Sequence, residues 1–140
     1  MFRVPLRLLC LLLAAFTLVS CSTPPPTLTS AVLTDKVDEQ TMAPLNPVSS
    51  FPKTAKTLYV SSLVANPKKG TRVEAHWFFD KESKGSYLAV DQAVVTFESV
   101  GKNRYVAFRL DAVTEFQPGT YKVELHLDDK LTKELTFAVN

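Results

Sequence analysis

Few side chains in this sequence could carry chemistry, and each can be followed to its setting. The thiols are Cys10 and Cys21, and the imidazoles are His76 and His126. Each histidine occupies the polar position of an alternating run, so the two rings could approach one another if both runs share a sheet. With Asp128 and Asp129 beside them a metal site is conceivable. No ligand triplet sits at tight spacing, and the expectation is two solvent-facing histidines with no metal ligands. A serine hydrolase needs a nucleophile on a sharp turn, a base and an orienting acid, and no G-x-S-x-G occurs here. Gly70, Gly85, Gly101 and Gly119 are isolated, which leaves no glycine-rich phosphate loop. The acidic pairs read as solvated charges rather than glycosidase carboxylates. No catalytic or cofactor-binding residue is assigned, and the chain reads as a non-enzyme without a cofactor.

Cys21 stands apart because of what precedes it. The chain opens MFRVPLR, with Arg3 and Arg7 and no acid, and Leu8 to Val19 is then an apolar run broken only by Thr17. A membrane-crossing helix needs about 20 such residues. A positive start, a shorter apolar core and small residues at its end make a helical secretory signal peptide. The closing residues Leu18-Val19-Ser20-Cys21 resemble the lipobox of bacterial lipoproteins. The resemblance covers residues 1–21 only. It implies cleavage between Ser20 and Cys21, diacylglycerol on the Cys21 sulfur and acylation (palmitate, for example) of the new amino group. Two or three chains, at about 0.8 kcal/mol per buried methylene, amount to a lasting anchor. In lipoproteins of enteric-type bacteria an aspartate after the cysteine retains the protein in the inner membrane. Ser22 therefore implies the outer membrane, if the source has one, and the expected place is the cell envelope, on the periplasmic side.

Cleavage changes the composition that matters. Removing residues 1–20 from the 140-residue chain leaves 120, enough for one domain and a tail. Cys10 leaves with the signal peptide and Cys21 is acylated, so no thiol remains for a disulfide, and the exported domain must fold on its hydrophobic core alone. Arg3 and Arg7 leave as well, so the sixteen basic residues become fourteen and match the fourteen acidic ones. There is no basic stripe of the kind nucleic-acid binding requires.

The elements that would position these residues fall into two regions. Ser22 to Pro52 holds six of the nine prolines and no glycine, the composition of an extended, semi-stiff linker. The lipid-anchored, disordered tether is placed at residues 21–46, with a reach on the order of 80 Å if about 25 residues were extended. A transient helix within Ala31 to Met42 is conceivable. From Lys56 onward the pattern is period two, as in TRVEAHWFF and TYKVELHL, which signals half-buried antiparallel strands. Turn signals at Asn66-Pro67, Lys84-Gly85, Gly101-Lys102-Asn103, Pro118-Gly119 and Asp128-Asp129-Lys130 separate them. Six strands, seven if PVSSF pairs, predict an all-β, antiparallel sandwich of about seven strands over residues 47–140.

Trp77 in the middle of the third strand, and Gly119 with Tyr121 at the start of the penultimate one, resemble the immunoglobulin or fibronectin-type sandwich. That resemblance implies a core tryptophan and a tyrosine corner, and it departs from antibody domains in lacking the intersheet cysteine pair. Phe78 should face away from the core, near Tyr59, and be covered by the segment from Lys84 to Ala93. The charged run from Asp80 to Tyr87 is either a solvated connection or a recognition loop. The functional expectation is a lipid-anchored module that binds or scaffolds another envelope protein. A carbohydrate- or cell-wall-binding module is the alternative, with an enzyme of unrecognised site a distant third.

The anchor is tested by metabolic labelling with a clickable palmitate analogue. Cys21→Ala should abolish label incorporation and leave the signal peptide uncleaved, whereas equal labelling of both chains contradicts the lipobox.

Overall fold

The computed structural model describes Ser20 and residues 22–140. The signal peptide, Cys10 and Cys21 lie outside the described residues. Nine strands follow one another: β1 (Thr27–Leu28), β2 (Val32–Thr34), β3 (Ser50–Phe51), β4 (Thr57–Ala65), β5 (Arg72–Asp80), β6 (Leu88–Thr96), β7 (Arg104–Asp111), β8 (Gly119–Leu127) and β9 (Lys130–Val139). They form two sheets. In the first, β4 pairs antiparallel with β7 along nearly its whole length, while the short β1 and β2 pair with it as well. Because β7 already occupies Thr57 to Val64, β1 and β2 must take the other edge. The second sheet runs β3-β9-β8-β5-β6.

The alternation read from the sequence sets which side chains meet between the sheets. Leu58, Val60 and Val64 of β4 face Val73, Ala75 and Trp77 of β5 and Val123 of β8, all without exposed surface. Trp77 meets the Phe137 ring edge-on at 6.3 Å. Its Nε1 has no hydrogen-bond partner among the described residues, so the indole serves here as buried volume. Tyr121 is buried too, and its Oη donates to the Gln117 carbonyl oxygen at 3.0 Å, the tyrosine corner that the sequence implied. Gly119 opens that corner at φ +149°, and a Cβ there would lie 2.8 Å from a ring carbon of Phe79.

Three expectations need correction. The sandwich begins at Thr27 and not at residue 47, for β1 and β2 belong to the first sheet and bury Leu28 and Leu33. Much of the expected 21–46 tether is therefore folded, Ala31 to Met42 holds a strand and turns rather than a helix, and among the described residues of that tether only 22–26 precede the first strand. PVSSF does pair, but β3 runs parallel to β9, with Phe51 opposite Val139. The third long strand spans Leu88–Thr96, and Phe97, just past its end, is buried. Leu131 at the start of β9 is 53 % exposed, beside the point at which the register of β8 with β9 shifts, at Leu125/His126.

Truncating a buried large aromatic costs about 3–5 kcal/mol, against a total of about 5–10 kcal/mol for so small a domain. Trp77→Ala in the chain from Ser22 should therefore be marginal or unfolded in urea melts followed by circular dichroism. Tyr121→Phe, which loses one hydrogen bond, should cost about 1 kcal/mol. A Trp77→Ala chain as stable as the parent would overturn the core assignment.

Candidate functional site

With Val73, Ala75 and Trp77 directed inward, Arg72, Glu74, His76 and Phe78 must occupy the outer face of the five-stranded sheet. Antiparallel pairing brings them opposite β8 in the register Glu74–His126, His76–Glu124 and Phe78–Lys122. The tripeptide E-x-H occurs on both strands, as Glu74-Ala75-His76 and Glu124-Leu125-His126. Pairing the two copies head to tail makes a square in which each glutamate has one histidine along its strand and another across it. His76 Nε2 donates to Glu74 Oε2 at 2.9 Å, and His126 Nε2 to Glu124 Oε2 at 3.3 Å. The two imidazoles stack with centroids 4.6 Å apart.

Cations close both ends of the square. Arg72 pairs with Glu74 and, at 2.9 Å, with Asp129. Lys122 Nζ sits 3.1 Å from Glu124 and also lies over the rings of Phe78 at 4.7 Å and Tyr87 at 4.6 Å. The hydrogen bond from His76 holds the Glu74 carboxyl below the usual glutamate range; desolvation opposes this and the Arg72 charge adds to it. At Glu124 burial works against the charge, but the hydrogen bonds from Lys122 and His126 outweigh it and the carboxyl is again lowered.

The structure thus joins the two histidines that the sequence singled out, half-buried rather than freely solvated, and separates them from the aspartates. Asp128 accepts from the Arg72 backbone N–H and Asp129 from its guanidinium. Among the described residues no three His, Cys, Asp or Glu side chains are placed to hold a metal. Glu74 and Glu124 were missed by sequence reasoning, although the repeated E-x-H on neighbouring strands was there to be read. Phe78 does face outward, but Tyr59 lies on the other sheet; its neighbours are Lys122 and, from the 84–93 segment, Tyr87 through that lysine.

Three further surfaces are exposed. Asp80 is buried, and its carboxylate accepts from the backbone N–H groups of Glu82 and Gly85. The Asp80–Tyr87 loop is therefore braced from below. It shares its end of the sandwich with Val113, which is fully exposed. β6, the free edge of the five-stranded sheet, is exposed at eight of its nine residues. It carries one charge, Asp91, with exposed Leu88, Val90 and Val94. On the outer face of the other sheet Met42, Leu63, Tyr105 and Ala107 line a groove, with Tyr59 beside it.

The lowered carboxyls make a pH prediction. A glutamate whose folded-state pKa is depressed stabilises the fold above its unfolded pKa, and this contribution is lost as pH falls through the folded value. Replacing both Glu74 and Glu124 by Gln should flatten the fall of the urea midpoint between about pH 5 and pH 3. An acid limb unchanged by the double substitution would show that the square contributes nothing.

No protein family and no curated protein matches the chain. Solved structures do. An immunoglobulin-like protein from Pseudomonas aeruginosa is similar at 12 % identity and a TM-score of 0.55, over 84 % of this chain and 98 % of that one. A β-glucosidase from Listeria innocua matches at 14 % identity and a TM-score of 0.48, over 83 % of this chain but only 16 % of that enzyme. A β-glucosidase involved in saponin metabolism from intestinal bacteria matches at 17 % identity and a TM-score of 0.45, over 82 % of this chain and 15 % of its own. At these identities the likeness extends to the fold alone, an immunoglobulin-like β-sandwich.

Proposed function

We propose that this chain is a lipid-anchored protein of the cell envelope, held by acyl chains on Cys21, whose immunoglobulin-like sandwich binds another envelope protein without catalysing a reaction. The observation that carries the reading is β6. A nine-residue edge strand presents a row of unpaired backbone groups, and natural sheets blunt such edges with charged side chains (lysine above all), proline, bulges or a cover. β6 has neither lysine nor proline, and its Val90 and Val94 are exposed. An edge of this kind suits a partner that adds a strand, with main-chain bonds for affinity and side-chain contacts for selection. A sugar cannot make that contact. A register shift near Trp77/Phe78 restricts the flat part of the edge to Asp91 to Thr96. Val94 is the large apolar side chain exposed there.

The glycan-binding reading loses Trp77 as a stacking platform, because the indole is buried. What favours it is the groove beside Tyr105 and Tyr59.

Pull-downs from detergent-solubilised membranes separate the two readings. The parent chain should retain a discrete protein, and Val94→Lys, which places a charge on the free edge, should reduce capture at least about ten-fold without changing the urea midpoint. Equal capture by both chains excludes β6 as the docking edge. Loss of capture with Tyr105→Ala but not with Val94→Lys would move the site to the groove.

A further inference from the structure

Strand polarity sorts the loops into two ends. One end holds the connection from β4 to β5 (residues 66–71), the connection from β6 to β7 (97–103) and the β8–β9 turn. β1 starts at the same end, because Thr27 pairs with Ala65, the last residue of β4. Five residues, 22–26, separate Cys21 from β1, a span of about 20 Å at most. This stub does not leave the domain freely. Thr23 and Pro24 line one cleft with residues 66–69 and with Val100 and Gly101.

The two long loops at this end are bolted together. Gly70 N–H donates to the Phe97 carbonyl at 2.8 Å, Phe97 N–H to that of Thr71 at 2.9 Å, and Gly101 N–H to that of Pro67 at 3.3 Å. Their tips carry exposed Lys68, Lys69 and Lys102, none of them in an ion pair among the described residues. Between these lysines Val100 is 75 % exposed. The acids at this end are few. Glu98 lies on the same loop, and Asp128 and Asp129 are engaged by Arg72.

We propose that this end of the sandwich is a membrane-docking surface, in which Lys68, Lys69 and Lys102 meet the anionic headgroups of the bilayer that holds Cys21 and Val100 enters the interface between them. The inference rests on the anchoring reading. Three observations converge on a lipid surface: the chain leaves the domain here, its stub holds this end within about 20 Å of Cys21, and the charge is complementary to anionic phospholipid. Headgroup attraction acts within about a Debye length, roughly 8–10 Å, and a stub of about 20 Å at most lets the lysines come within it. Because the acyl chains already hold the domain at the surface, each lysine contact forms at high effective concentration, and a weak contact suffices. Docking in this way turns the Asp80–Tyr87 loop and Val113 away from the membrane and leaves the β6 edge standing along the sandwich's height.

The acylated full chain, purified from membranes and reconstituted, tests this. Val100→Cys and Val113→Cys each introduce a single labelling site, Cys21 being blocked by its lipid. With an environment-sensitive fluorophore in phosphatidylglycerol-containing vesicles that carry a headgroup quencher, the probe at position 100 should be quenched and that at position 113 should not. Reversing Lys68, Lys69 and Lys102 to Glu should lower the docked-to-undocked ratio about five-fold or more, and vesicles of phosphatidylcholine alone should do likewise, while the protein still floats with the lipid. A chain that floats with the vesicles yet shows equal signals at the two positions, or signals indifferent to the lysines, overturns the docking surface. A chain that neither floats nor carries acyl mass on Cys21 defeats the anchoring reading, and the docking with it.

Discussion

The second edge of β4 governs how the rest of this molecule is arranged. β4 lies in the middle of its sheet and carries two serines, Ser61 and Ser62, that are fully buried. A hydroxyl out of reach of water must find an acceptor or cost about 1–3 kcal/mol. Both acceptors come from the N-terminal segment: Ser61 Oγ donates to the Met42 carbonyl at 2.7 Å and Ser62 Oγ to that of Ser30. Thr34, also buried, turns its hydroxyl to the carbonyl of Lys36 at 2.7 Å, within the same segment. Leu28 and Leu33 add apolar burial beside these bonds. Residues 27–48 are thus the missing flank of a sheet, and a sandwich cut at residue 47 would expose an edge full of orphaned donors.

From that one pairing follows the geometry of presentation. A chain that begins its first strand at Thr27 emerges at the end bearing the lysine-tipped loops. The opposite end carries the Asp80–Tyr87 loop and Val113, and the β6 edge stands free along the side of the sandwich. The square of Glu74, His76, Glu124 and His126 lies between these ends, on the outer face of the five-stranded sheet. Its charges are matched internally by Arg72 and Lys122. A surface whose ions are mutually satisfied is poorly suited to capture a charged ligand, and its contribution is to tie β5 to β8. Lys122, drawn over Phe78 and Tyr87, extends the same tie toward the Asp80–Tyr87 loop.

How much of this was legible depended on the range over which the information is carried. The six long strands, the buried Trp77 and the Tyr121 corner were readable because each is local: alternation repeats every two residues, and Gly119 and Tyr121 lie within one turn of Gln117. β1 and β2 were not readable, since strands of two and three residues have no period and their partner lies about thirty residues away. The proline content of the segment spoke for a tether, and it fits equally a strand edge that winds around a core. A signal did exist in Ser61-Ser62, a polar pair in the middle of an otherwise apolar strand, which announces a polar neighbour. The histidines were found by residue type, but their glutamates required the register of β5 against β8.

Hydrogen exchange of the full chain, resolved by segment, tests the central pairing most directly. If residues 27–34 are strands of the sandwich, the amides bonded across to β4, such as Thr29 N–H on the Leu63 carbonyl at 2.9 Å, should be protected and exchange together with β4 itself. Exchange at the rate of an unstructured peptide throughout residues 22–46, with β4 still protected, would mean that the segment is a tether after all and that the domain closes its edge in another way.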